Sequence, residues 1–117
     1  MIKIYHNQRC SKSRQGKELL ENSNCEFEII NYLETPPTIK EINELIKLLG
    51  ISPIQLVRKG EAIWKENFKG KTLSDKQIVE AMSKFPKLIE RPIVINNGKA
   101  VIGRPTENIS SIIYFFL

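Results

Sequence analysis

The sequence predicts an α/β fold, a four-stranded mixed sheet laid out as β-α-β, helical insert, β-β-α. Three observations carry this. Two short apolar strands, one around Ile2 and Ile4 and one over Glu26 to Tyr32, bracket a helix-forming stretch. A long run without strand character follows. An Asn97-Gly98 turn between two β-branched runs then precedes a last helix. With 117 residues and 13.5 kDa, the chain reads as one domain over 1–117, with the insert at about 38–86.

Each element has its own local reason. Ile2 and Ile4 alternate with polar residues, as a half-buried strand does. His6 to Ser13 is a polar loop whose sole apolar member is Cys10. From Ser13 or Arg14 to about Asn22, Lys17, Glu18, Leu19, Leu20 and Glu21 favour helix. A loop at the carboxyl end of a first strand in such a βαβ unit is where open α/β sheets bind ligands. Pro36-Pro37 ends the second strand. Thr38 and Glu41 then make a capping box, in which each side chain accepts from the other's backbone N–H. Ile39, Ile42, Leu45, Ile46 and Leu49 recur at steps of three and four, and Gly50 supplies the stop. Ser52-Pro53 restarts a helix to about Val57. Ser74 and Gln77 form a second capping box, heading a helix to about Phe85 before Pro86. The stretch Lys65–Lys71 reads as a mobile surface loop. After Arg104-Pro105, a last helix would bury Ile109, Ile112, Ile113 and Phe116. This order is that of a thioredoxin-like fold, which places a thiol at the start of the first helix.

Composition bounds the function. Hydrophobic residues at 41% and charged residues at 26% describe a globular chain rather than a disordered one. No run reaches the ~20 apolar residues of a membrane span, and no membrane partner is expected. Nor does an apolar stretch of roughly 7–15 residues head the chain as an export signal would. A reducing cytoplasmic location is therefore expected. Two cysteines, Cys10 and Cys25, make neither a disulfide framework nor a four-ligand metal site. The net charge of +5 suggests anionic partners without choosing between nucleic acid and a small oxyanion.

Cys10 is the leading candidate for chemistry. It stands directly before a helix, where unpaired N–H groups and the helix dipole favour an anion. Such positions turn thiols into nucleophiles by lowering their pKa from about 8.5. His6, Arg9, Lys12 and Arg14 surround it in sequence. His6 either stabilises a thiolate or simply ends the strand. The motif Cys10-Ser11-Lys12-Ser13 is C-x-x-S, so a redox cycle through Cys10 must recruit an outside thiol. A phosphatase loop would need Arg where Gly16 stands. Cys25 reads as packing beside the second strand.

Three arginines join the list. Arg58 follows Leu56-Val57, Arg91 precedes Pro92 and the third strand, and Arg104 precedes Pro105 after the fourth. Taken singly, each reads as a solvated surface residue. Two Arg-Pro pairs flanking one hairpin are more suggestive, because guanidinium forks bind tetrahedral oxyanions in a fixed, bidentate way. They would also offset the charge repelling a thiolate from such an anion. For Pro92 the trans peptide is the base-rate choice, although thioredoxin-like folds place a cis-proline before the third strand.

Several motifs together resemble the glutaredoxin-coupled arsenate reductases. They are His6-Asn7-x-x-Cys10-x-x-Ser13-Arg14, Tyr32-Leu33-Glu34-Thr35-Pro36-Pro37-Thr38, Leu56-Val57-Arg58-Lys59, Arg91-Pro92-Ile93-Val94 and Gly103-Arg104-Pro105. The resemblance runs over essentially the whole chain. It implies Cys10 as nucleophile, with Arg58, Arg91 and Arg104 as the oxyanion site. It implies His6 as a group keeping the thiol ionised and Ser13 as a neighbour of the thiolate. It implies arsenate as substrate, glutathione as co-substrate, glutaredoxin as partner, no bound cofactor or metal, and a monomer. Arg9 and Lys12 depart from the pattern, being bulky and basic where smaller residues are expected. The wider family includes Spx-type regulators that bind RNA polymerase, and a thiol oxidoreductase of other substrate is a further alternative. Those regulators commonly carry C-x-x-C, against which Ser13 argues.

Overall fold

The computed structural model describes residues 1–113. The elements are β1 (Ile2–Tyr5), α1 (Ser11–Asn22), β2 (Phe27–Ile30), α2 (Ile39–Leu49), α3 (Ala62–Asn67), α4 (Asp75–Lys84), β3 (Ile93–Asn96), β4 (Lys99–Ile102) and α5 (Ser110–Ile113). Short 3-10 turns lie at Pro53–Leu56, Pro86–Leu88 and Thr106–Ile109. The chain forms two compact units: Met1–Tyr32 with the segment from Arg91 onward, and Leu33–Glu90.

The first unit is the thioredoxin-like sheet, in strand order β2-β1-β3-β4. β1 pairs parallel to β2, with Ile4 opposite Ile29, and antiparallel to β3, with Ile4 opposite Val94. A parallel pair needs a crossover, which α1 supplies. β3 and β4 close the predicted hairpin, Asn96 opposite Lys99. Asn97 and Gly98 both take positive φ, at 50° and 74°. Primed hairpin turns require that conformation, which Asn and Gly tolerate best. Alternation along β1 puts Ile2 and Ile4 on one face, where they pack with Leu20 of α1, Val94 of β3, and Ile109, Ile112 and Ile113. Ile4, Leu20, Val94 and Ile109 are wholly buried. Each such side chain contributes about 1.5–3 kcal/mol by leaving water. Tyr5 lies on the opposite face, its ring centroid 6.4 Å from that of Tyr32.

The second unit is helical. Thr38 and Ser74 both form their expected capping boxes, with Glu41 and Gln77. Gly50 ends α2 in the left-handed region at φ 66°. Ile42 and Leu45 of α2 and Ile78, Val79, Ala81 and Met82 of α4 are buried, and the two helices pack together. Ser83 Oγ donates to the Pro37 carbonyl at 2.8 Å, tying α4 to the start of α2. Val57 and Ile89 form an isolated antiparallel bridge.

Several expectations change. α1 begins at Ser11, not at Ser13 or Arg14, which makes Cys10 its N-cap residue. The restart after Ser52 is a 3-10 turn of four residues rather than a helix to Val57. Part of the expected loop at 65–71 belongs to α3. Trp64 on α3 packs at 5.4 Å from Phe68, which in turn meets Phe85 at 6.1 Å, and this aromatic stack holds the segment. Ile39 is exposed in the first turn of α2, outside the buried stripe. The last helix opens as a 3-10 turn at Thr106, and Phe116 lies outside the described residues. Arg91-Pro92 is cis, against the base-rate choice, and so is Arg104-Pro105.

Candidate active site

The sheet delivers the site residues of the first unit from three directions. β1 ends at Tyr5, and His6 N–H still donates to the Ile30 carbonyl at 3.1 Å, so the strand's last ladder bond fixes His6. The chain then turns through Asn7 to Arg9. Asn7 Oδ1 accepts from Arg9 N–H at 3.0 Å, and the Asn7 carbonyl accepts from Cys10 N–H at 3.0 Å. These local bonds let Asn replace a backbone turn. Cys10 has extended backbone angles, φ −93° and ψ 123°, and its side chain makes no capping bond. Its carbonyl takes the first intrahelical bond, from Arg14 N–H at 3.0 Å. The thiol is half-buried and free, and it stands at the positive end of α1.

Ser13, one turn into α1, is wholly buried. Its Oγ accepts from Asn7 N–H at 2.9 Å and bonds His6 Nδ1 at 2.6 Å. With the hydroxyl's acceptor role taken by Asn7, a neutral imidazole can receive the Ser13 proton at Nδ1. Burial holds the His6 pKa below its ordinary value, and the positive charges of Lys17 and Arg14 add to this. A hydrogen bond to the Ser13 backbone acts the other way. The net effect favours the neutral ring, the form in which His6 can anchor Ser13 and the loop.

Arg104 arrives from the far end of β4. Gly103 N–H donates to the Pro92 carbonyl at 2.8 Å, which locks the turn after β4 against the start of β3. From there, Arg104 Nε donates to the Arg91 carbonyl at 2.7 Å and Nη2 donates to Cys10 Sγ at 3.3 Å. One planar fork therefore bridges a backbone oxygen and the sulfur, fixing the guanidinium plane at the thiol. Arg91, half-buried, immediately precedes Pro92 in the same turn. The close packing beneath rests on Gly16 and Gly103. A Cβ on Gly16 would lie 3.0 Å from both Pro92 Cγ and Ile109 Cδ1, and one on Gly103 would lie 2.9 Å from each.

The structure thus brings Cys10, His6, Ser13, Arg91 and Arg104 into one unit. Arg58 belongs to the other. There its backbone N–H donates to the Leu88 carbonyl at 2.7 Å, and its guanidinium pairs with Glu61 at 2.7 Å and Glu90 at 3.6 Å. Sequence reasoning missed these carboxylates. The i,i+3 spacing of Arg58 and Glu61 was the available signal. It also missed the structural roles of Gly16 and Gly103, which no local pattern announces. Cys25 packs half-buried at the edge of the core, its Sγ 3.6 Å from the Ser23 carbonyl. Among the described residues no cluster of three or more His, Cys, Asp or Glu could hold a metal ion. Among them, too, no helix is long and apolar enough to cross a membrane.

The chain is similar to known proteins over nearly its whole length. YfgD, an uncharacterized protein of Escherichia coli (strain K12), is 46% identical over 114 residues, covering 96% of each chain. An arsenate reductase of Neisseria meningitidis is 40% identical over 114 residues, covering 96% of this chain and 97% of that one. The solved structure of an arsenate reductase from Vibrio cholerae superposes with a TM-score of 0.91 at 44% identity, over 96% of this chain and 97% of its own. The model of the ArsC family matches residues 5–112, a span that takes in the thiol loop, both Arg-Pro turns and the helical unit between them, and the chain belongs to that family.

Proposed function

We propose that the protein reduces arsenate to arsenite, with Cys10 as the nucleophile. One observation supports this most: a guanidinium N–H of Arg104 reaches Cys10 Sγ at 3.3 Å in a chain whose relatives are named arsenate reductases. A thiolate is a better acceptor for that donor than a neutral thiol. In this reading the sulfur attacks arsenic, an As–S bond forms and an arsenate oxygen leaves as water. Arg104 and Arg91 offset the charge of the anion during attack. Arg58 enters the reading through its motif, Leu56-Val57-Arg58-Lys59.

The electrons come from outside, because Ser13 stands where a resolving cysteine would be. Glutathione attacks the arsenic as co-substrate, glutaredoxin takes up the glutathione sulfur as a mixed disulfide, and water releases arsenite. The balance is one arsenate and two thiols giving arsenite, one disulfide and water. No cofactor stays bound in this reading, and it places the protein in the cytoplasm as a monomer. The test is arsenate-dependent NADPH oxidation in the presence of glutathione, glutathione reductase and glutaredoxin. Turnover is expected, and Cys10→Ser should abolish it. No turnover by the native protein, beside an active reductase in the same mixture, would sink the proposal.

A further inference from the structure

The residues from His6 to Lys17 hold four cations, Arg9, Lys12, Arg14 and Lys17, and no carboxylate. Three of them, Arg9, Lys12 and Arg14, are exposed. Arg14 is tethered, its Nη1 donating to the Gln8 carbonyl at 2.9 Å. Arg9 directly precedes Cys10 and Lys12 follows it by two positions, and among the described residues neither joins a salt bridge. The placement runs against helix stability. α2 and α4 carry an acid in the first turn, Glu41 and Asp75, and a lysine in the last, Lys47 and Lys84. The first turn of α1 has no acid and its last turn no base. Cations at the positive end of a helix cost stability rather than adding it. Helix stability therefore does not account for basic residues at this end of α1.

We infer that Arg9 and Lys12 select the sulfur partner of Cys10 by charge, favouring small anionic thiols and disulfides over neutral and cationic ones. The inference rests on Cys10 being the nucleophile. Arg9 adjoins Cys10 and Lys12 lies in the first turn of the helix that Cys10 caps, both exposed, and charges act over about 8 Å at physiological salt. A carboxylate on that molecule is then attracted at every stage of approach, and an ammonium is repelled.

A charge series of aliphatic disulfides tests this. Dithiodipropionate is a dianion, hydroxyethyl disulfide is neutral and cystamine is a dication. In each case the Cys10 thiolate attacks one sulfur, the reagent's S–S bond breaks, a new S–S bond to Cys10 forms and one thiolate leaves. One disulfide replaces another, with no net change in electrons. Rates are read by intact-protein mass spectrometry in a Cys25→Ala background. The variant Arg9→Gln/Lys12→Gln should react about 10-fold more slowly with dithiodipropionate at low salt, from the range known for electrostatic steering. Its rate with hydroxyethyl disulfide should be unchanged and its rate with cystamine higher. In the Cys25→Ala chain with Arg9 and Lys12 intact, 1 M salt should remove the preference, because the Debye length falls to about 3 Å. Should the double variant fold poorly, Arg9→Gln and Lys12→Gln made singly test the same point, each losing part of the preference, and a preference unchanged in both would overturn the inference. Equal changes with all three reagents, or a salt-independent rate with the dianion, would overturn the inference and leave the nucleophile reading standing. A Cys10 inert to all three would overturn both.

Discussion

Gly103→Ala perturbs the packing directly beneath the thiol site. The added methyl would sit 2.9 Å from Pro92 Cγ, 2.9 Å from Ile109 Cδ1 and 3.2 Å from Ile109 Cγ1. Carbon atoms in contact prefer about 3.5–4.0 Å, so each neighbour must yield by roughly half an ångström. Ile109 is wholly buried and Pro92 is a ring, so neither has solvent or a free rotamer to move into. Overpacking of this kind costs about 1–3 kcal/mol. At roughly 2.1 cal/mol/K of unfolding entropy per residue, the chain should lose about 4 °C in Tm for each kcal/mol, hence about 4–12 °C. Gly60→Ala is the control, since a Cβ there meets nothing within 4 Å. It should be neutral or add about 0.4–1 kcal/mol by restricting the unfolded chain. Both variants are compared with the parent by calorimetry. Gly103 also fixes the turn that aims Arg104, so arsenate turnover should fall with the Tm. A Gly103→Ala variant that melts with the parent, or a Gly60→Ala variant that loses as much, would refute the packing argument.

Three further outcomes are expected. Because the folded state holds the His6 pKa below the ordinary value of 6.5, the unfolded chain binds more protons just below that pH. The corresponding stability is complete above pH 6.5 and is lost as the pH falls below it; in urea melts, His6→Gln should remove that part of the slope. Arg104→Lys keeps the charge but not the fork that reaches both the Arg91 carbonyl and Cys10 Sγ. At about 1.5–3 kcal/mol for a charged hydrogen bond, kcat/KM for arsenate should fall roughly 10- to 100-fold. Thr38→Ala removes the side-chain acceptor for Glu41 N–H and should cost about 1 kcal/mol in chemical denaturation, without affecting turnover per folded molecule.

Much of this molecule was legible because its signals are local. A capping box needs only Thr38 and Glu41, and a primed turn needs only Asn97 and Gly98, so chemistry within four residues decides both. The thiol loop was legible for the same reason: Cys10 stands beside a helix start and within a basic segment. Where local preference was weak, packing decided. The stretch Lys65–Lys71 reads as a loop from composition, yet its first residues belong to α3, where Trp64 packs on Phe68 and Phe68 on Phe85. Ile39 fits the apolar period but lies in the first turn of α2, where it stays exposed.

The sequence by itself determined the four strands, the capping boxes and the hairpin turn, and singled out Cys10 as the candidate thiol. Only the tertiary structure decided what that thiol meets. Arg104 lies 94 positions from Cys10 along the chain, and nothing local couples them until β1, β3 and β4 pair. For Arg58, a solvated residue by pattern, spacing could have signalled Glu61, but only the fold brings Glu90 to its guanidinium. Gly16 and Gly103 acquire meaning only when Pro92 and Ile109 pack against them. Spacing encodes neighbours within a turn or a hairpin, whereas contacts between distant segments depend on the register and burial of the assembled sheet.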